Sequence, residues 1–243
     1  MNLVKRQLGV LTRRYAACTV GDPLTVFLLL AQAPFIGYLC TLVWGAAGRE
    51  TESLYFVMAL SSVWFGCINA CREVVKERAI VERERFFGLS LPAYVGSKFA
   101  VLAGIGLVQV VLMQAAIEWS MALKGPFLVQ TMAMFGSMLC GMGLGLLVSA
   151  ISKSQERAVG AIPLLILPQI LFSEVALPER YHGEAMSLLE NLMPAHWGFQ
   201  AIRELAAAEI EWATVVGSLG ALGVQTLVLA VLAMLALIPR RDV

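Results

Sequence analysis

The sequence predicts an all-α polytopic membrane protein. Composition, the blocking of apolar residues and the placement of Lys and Arg carry that reading. Of 243 residues, 59% are hydrophobic and 14% charged, against about 25% charged in soluble chains, and mean hydropathy is +0.77. The apolar residues gather in six blocks, at 24–44, 54–71, 99–121, 127–151, 158–172 and 214–238. A membrane-crossing helix needs roughly 20 mainly apolar residues. The fifth block is the shortest and carries Pro163 and Pro168. With the amino terminus in the cytoplasm, six spans leave every one of the 18 Lys and Arg residues inside except Arg49, Lys124, Arg180 and Arg203, as the positive-inside bias requires. Without the fifth span, Arg240 and Arg241 would fall outside. Both termini are therefore expected in the cytoplasm.

Residues 1–22 precede the first span. Val4, Leu8, Leu11, Tyr15 and Cys18 recur at helical spacing, with Lys5, Arg6, Arg13 and Arg14 elsewhere on the helix. That pattern predicts a helix in the cytoplasmic interface, its apolar face in the acyl boundary and its arginines among anionic headgroups. A basic tail that only sets topology is the alternative. No early apolar run or small-residue cleavage site marks a signal peptide. Asp22-Pro23 punctuates the chain, and Pro suits an early helical position. Residues 23–243 then form one six-span domain.

The charged stretch at about 72–98 lies between two apolar spans, so it is expected as a cytoplasmic hairpin. Asn69, Gln109 and Gln114 are polar side chains at membrane depth; each fits an interhelical hydrogen bond or a lining role. Glu118 is expected at the outer interface. The glycines at 141, 143 and 145 sit in an apolar helix with no preceding strand, which points to close helix packing. Residues 173–213 are acidic on balance and contain two short amphipathic stretches broken at Pro194. A lid or re-entrant pair of helices at the outer mouth suits them.

Several functions are excluded by what is missing. Gly96-Ser97-Lys98 lacks the spacing of a phosphate loop, and no other nucleotide motif occurs. His182 and His196 are the only histidines, both in the outer segment, and no HExxH occurs. No catalytic or metal-ligating residues are therefore expected, and an intramembrane enzyme is only a remote alternative. Cys18, Cys40, Cys67, Cys71 and Cys140 lie in spans or on the cytoplasmic side, where disulfides are not expected. A net charge of +1 gives no reason to expect nucleic acid.

The chain resembles the transmembrane domain of G-subfamily-type ABC exporters, within the type-2 ABC permease superfamily (type V exporter fold). The bacterial versions are the closer likeness. The residues that carry it are the leader RQLGVLTRRYAACTVGDP, QAPFIGYL, WFGCINACREVVKERAIVERERFFGLSLPAYVGSK, GLGLLVSAISKSQERAVGAIPLLILPQILFSEV and MPAHWGFQAI. The resemblance implies an elbow helix against an ATPase, with Arg6, Arg13 and Arg14 on it. It implies a coupling helix containing or adjoining Glu77, Glu82, Arg83, Glu84, Arg85 and Phe86, ended by Gly88, with Tyr94 and Lys98 opening the third span. Phe65, Asn69, Leu165, Gln169 and Phe172 are implied to line a central cavity. The bulky outlet pair of eukaryotic members is replaced by Val175-Ala176, and the outer cysteines of those relatives are missing.

The same resemblance implies an ATP-binding cassette ATPase, as a subunit or a fused domain, with ATP and Mg held there and no cofactor in this chain. Met1 stands just before the elbow, so a separate ATPase subunit or a fragmentary sequence is expected. A second permease chain, membrane lipid around it, a bacterial inner-membrane location and an apolar or amphipathic cargo complete the expectation. A membrane anchor or assembly scaffold without transport is the alternative.

Overall fold

The structure, a computed structural model, describes residues 3–45, 50–175 and 184–238, without the side chains of residues 184–186. No strand occurs among them. Ala176 of the expected outlet pair, and Arg49, Arg180, His182, Arg240 and Arg241, lie outside the described residues.

Helix α1 (Leu3–Val20) leads into α2 (Pro23–Trp44) through a cap at Asp22, whose side chain accepts from the Thr25 backbone N–H. This cap and Pro23 supply the two cheapest ways to start a helix. Thr51 caps α3 (Glu52–Ala70) in the same way. The chain then turns through a 3-10 segment (Val75–Glu77) into α4 (Arg78–Phe86). Gly88, at a φ of 88°, supplies the left-handed residue that reverses it. Next come α5 (Leu91–Glu118) and α6 (Phe127–Ile151). Two short helices follow, α7 (Gln155–Gly160) and α8 (Ile162–Leu171), then α9 (Glu184–Asn191), α10 (Pro194–Leu205) and α11 (Trp212–Ala236).

Among the described residues, five stretches are long and apolar enough to cross a bilayer: α2, the α3–α4 run, α5, α6 and α11. The expected fifth span differs. Its backbone is divided at Ala161 into α7 and α8, and α8 is only 10 residues long. Ten residues rise about 15 Å, half of a hydrocarbon layer of about 30 Å. Proline is the cause: Pro163 starts a new helix, and Pro168 removes a donor inside it.

The core is a parallel seam between α3 and α6, and it fixes everything else. A Cβ on Gly66 would meet the Met138 carbonyl oxygen at 2.0 Å, and one on Gly141 would meet that of Val63 at 2.1 Å. Gly145 repeats the contact one turn on, at the Cys67 carbonyl oxygen. Backbones this close gain dispersion contact without the hydrophobic drive that water would supply. Gly143 and Gly136 face the other way, against Leu229 and Leu222 of α11. One glycine-rich helix thus receives two neighbours. Helix α10 crosses the far end of the seam, burying Ala195, Phe199 and Ile202, and Gly198 fits over Ser137. Helices α2 and α11 keep most of their apolar surface outward, free for lipid or another chain.

Helix α1 departs from its expected setting. Leu11 and Tyr15 are buried against the protein, mainly α5, with Leu8 packed beside them. Gly96 of α5 leaves the groove that admits Leu8. The stripe expected in the acyl boundary is therefore largely an internal contact, while Leu3, Val4 and Val10 stay exposed.

Gly66→Leu and Gly141→Leu are expected to lower stability by about 1–3 kcal/mol or more, because backbone cannot yield as a side chain can. Gly217→Ala, where nothing lies within 4 Å, should stay within about 0.5 kcal/mol. Thermal midpoints in detergent compare the three. Equal midpoints would rule out the close seam.

Candidate functional site

The densest polar assembly lies where α1, the charged hairpin and the start of α5 meet. Residues four apart supply it from each element. Glu73 and Glu77 come from the hairpin, Tyr94 and Lys98 from α5, and Leu11 and Tyr15 from α1. The Lys98 ammonium is 1% exposed. It stands 2.8 Å from Glu77 Oε2 and 3.7 Å from Glu73 Oε2, over the Tyr15 ring at 3.6 Å from the centroid. It makes ion pairs but no well-directed hydrogen bond, so Coulomb attraction and the aromatic face carry the contact.

The carboxylates are held in turn. Tyr15 donates to Glu73 Oε2, Lys76 reaches Glu73 Oε1 at 2.6 Å, and Tyr94 donates to Glu77 Oε2 at 3.2 Å. Burial, then the Glu73 charge, pushes the Tyr15 phenol well above its ordinary pKa, so it stays a donor. A buried ion pair is stable only when its remaining valences are filled in this manner.

Around this cluster the hairpin is tied to five more points. Ser149 Oγ of α6 accepts the backbone N–H groups of Val74 and Val75 at 2.9 and 3.0 Å. Arg78 donates to the Ala150 carbonyl at the end of α6, and Arg85 to the Leu237 carbonyl at the end of α11. Gln7 of α1 brackets the reversal, donating to Gly88 O and accepting from Ser90 N, both at 3.0 Å. Arg14 pairs with Glu84 at 2.7 Å, and that hydrogen bond raises the arginine's pKa further. A groove of about 350 Å³ runs between α1 and the hairpin, lined mostly by apolar atoms, with Leu3, Arg6, Val10, Phe87 and Leu89 among its walls.

The expected site residues divide into two sets. Glu82 and Arg83 face outward, and Phe86 is 90% exposed, beside Phe87 at 86% and Ile80 at 42%. Glu77, Glu84 and Arg85 instead bond inside the chain. Arg6, Arg13 and Arg14 lie on the exposed side of α1. Of the expected lining, Phe65 is wholly buried in the core. Asn69 donates to Gln109 Oε1 at 2.6 Å, and Gln109 donates to the Leu29 carbonyl at 2.7 Å, which links α3, α5 and α2. Gln169 is buried and accepts from Ala195 N at 3.1 Å, fastening α8 to α10. Leu165 and Phe172 are half-buried, and Val175 is exposed. Glu73 and Tyr15 were missed as partners; the four-residue spacings within the hairpin and α5 were the available signal.

Comparison with known proteins gives two findings. The family described as ABC-2 type transporter matches residues 6–206. An ABC transporter ATP-binding/permease protein of Mycobacterium tuberculosis is 28% identical over 218 residues, covering 81% of this chain and 25% of that protein. The chain therefore spans about a quarter of the length of the curated relative that it matches.

Removing the Lys98 charge takes the shared, fully buried cation from the half-buried Glu73 and Glu77. Lys98→Met is expected to cost about 3–5 kcal/mol, read as a lower thermal midpoint in detergent. The triple change Lys98→Met, Glu73→Gln, Glu77→Gln should recover much of the loss. A single Lys98→Met protein as stable as the parent would contradict the pairing.

Proposed function

The chain belongs to the ABC-2 type transporter family, and from that premise we propose that its charged hairpin is where a partner ATPase drives it as an exporter. It is the membrane permease part of an ABC transporter. The finer reading has six spans with both ends cytoplasmic, α7 and α8 supplying the fifth, in a bacterial inner membrane. Two permease chains, identical or related, enclose a cavity that opens alternately to either side. ATP and Mg are bound by the ATPase, whether a separate subunit or a fused domain. The mycobacterial relative's name joins ATP binding to a permease, which supports such a partner here.

One observation carries the assignment: two almost fully exposed phenylalanines, Phe86 and Phe87, with Ile80, Glu82 and Arg83 around them, crown a hairpin locked to four helices. Apolar anchors beside charged groups suit a protein partner. The internal bonds of Glu77, Glu84 and Arg85 suit transmission, because a hairpin that slid freely would absorb the push. The cargo is apolar or amphipathic, a lipid, glycolipid or hydrophobic small molecule. Leu164, Leu167 and Leu171 on the outward face of α8, with Leu165 and Phe172 beside them, offer no charge to a polar solute. Phe65, Asn69 and Gln169 stand behind that surface as support. Val175 and Ala176 are placed at the outlet.

The test is the complete transporter, permease with its ATPase, in proteoliposomes. Phe86→Ala and Arg83→Glu touch nothing that holds the chain together, so thermal midpoints should barely move. Loss of an interface anchor worth about 2 kcal/mol weakens partner affinity roughly 30-fold, so transport and transport-linked ATP hydrolysis should fall together. Undiminished transport by both variants would remove the hairpin from the coupling path. Changing Glu84 or Arg85 is a poorer test, since each also breaks a contact inside the chain.

A further inference from the structure

A second polar cluster lies at the opposite end of the molecule, where the end of α8 meets α9 and α10. Glu174, Glu190 and His196 bring three donor atoms within 4.8 Å of one another. We propose that these residues form a binding site for one divalent transition-metal ion, zinc or a similar cation, that clamps the end of α8 to the short helices α9 and α10.

The geometry favours a metal over a plain hydrogen-bonded cluster. His196 Nδ1 and Glu190 Oε1 are 3.3 Å apart. That is long for a charge-assisted bond, which runs about 2.7–2.9 Å. It matches the edge between two ligands on a tetrahedral zinc ion, about 3.4 Å for bonds of about 2.0–2.2 Å. One imidazole and two carboxylates leave an open position and suit borderline cations.

The surrounding contacts are those a metal site needs. Ligating carboxylates are generally held by second hydrogen bonds. Here Arg203 grips Glu174 Oε2 at 2.6 Å, and the Glu174 backbone N–H donates to Glu190 Oε1 at 3.0 Å. Arg203 is itself fixed over the Phe199 ring, 5.0 Å from the centroid. Glu190 is only 6% exposed, and among the described residues Arg203 pairs with Glu174 and not with it. A bound cation stabilises a carboxylate held in so buried a place. The Glu174 side chain is 34% exposed, and this side gives the ion its entry.

Sequence offered no sign of this, because positions 174, 190 and 196 fit no metal motif. The ion's work is mechanical rather than catalytic: α10 rests on α3, α6 and α11, so the clamp joins the end of α8 to the core seam. The site rests on these residues alone. Any consequence for transport rests on the permease reading, so binding is measured separately.

The experiment uses the full chain in detergent, purified without a histidine tag and stripped with a chelator. Cobalt chloride is the probe, followed by displacement with zinc chloride. One cobalt ion per chain is expected, with a visible absorption band that zinc abolishes, and zinc should raise the thermal midpoint. Arg203→Gln keeps all three donors and should weaken cobalt binding about 10–100-fold. His196→Gln should eliminate the band. The site is refuted if the unaltered chain binds no stoichiometric cobalt, or if the band survives both His196→Gln and Glu190→Gln. A midpoint that follows pH and ignores zinc would assign the cluster to a proton, and would equally end the metal proposal.

Discussion

A single buried ammonium governs the hairpin end of this molecule. Lys98 has no water to turn to, so it demands Glu73 and Glu77 from the hairpin and the Tyr15 face from α1. Each partner is useless to it unless the element that carries it is docked. The cluster therefore makes docking of the hairpin and of α1 cooperative: displacing one element leaves charges of the others buried and unpaired. Few arrangements of α1, the hairpin and α5 satisfy that condition, which is why charges that look mobile in the sequence are held in fixed places.

The glycine seam supplies the complementary rigidity. With Gly66 and Gly141 in backbone contact, α3 and α6 cannot shear past one another without leaving voids or clashes. Ser149, on the last full turn of α6, then takes up the two free N–H groups at the hairpin's start. The seam and the hairpin are thus one body. At that body's margins, α2, α8 and α11 leave much of their apolar surface uncovered.

How much of this the sequence disclosed depended on the range of the interaction. The blocks at 24–44, 127–151 and 214–238 became α2, α6 and α11 almost to the residue, because apolar length alone decides them. The pair of short helices broken at Pro194 was equally visible, as proline punctuates locally. The block at 158–172 was read as one span; hydropathy is blind to Pro163, which starts a new helix after Ala161. Helix phase was the other weak point. Phe65, Asn69 and Gln169 were named as cavity lining from the resemblance, which does not fix helix phase; within the single chain each is buried. Glu84 and Arg85 looked like docking charges because Arg14 and Leu237, which hold them, lie 70 and 152 positions away.

The two polar clusters stand at opposite ends of the same seam and differ in how they balance charge. At the hairpin, Lys98, Lys76, Glu73 and Glu77 cancel within the chain, so the cluster is complete and its strength depends little on the surroundings. At the far end, among the described residues, Arg203 answers Glu174 and not Glu190, which leaves Glu190 for the cation proposed above. A rigid body secured by its own charges at one end and by a borrowed charge at the other is asymmetric in its response. Under the coupling and metal proposals, force enters at the hairpin with little dependence on the medium, while α9 and α10 hold to α8 as tightly as the supplied cation allows. That asymmetry follows from the charges that the described residues place at each end.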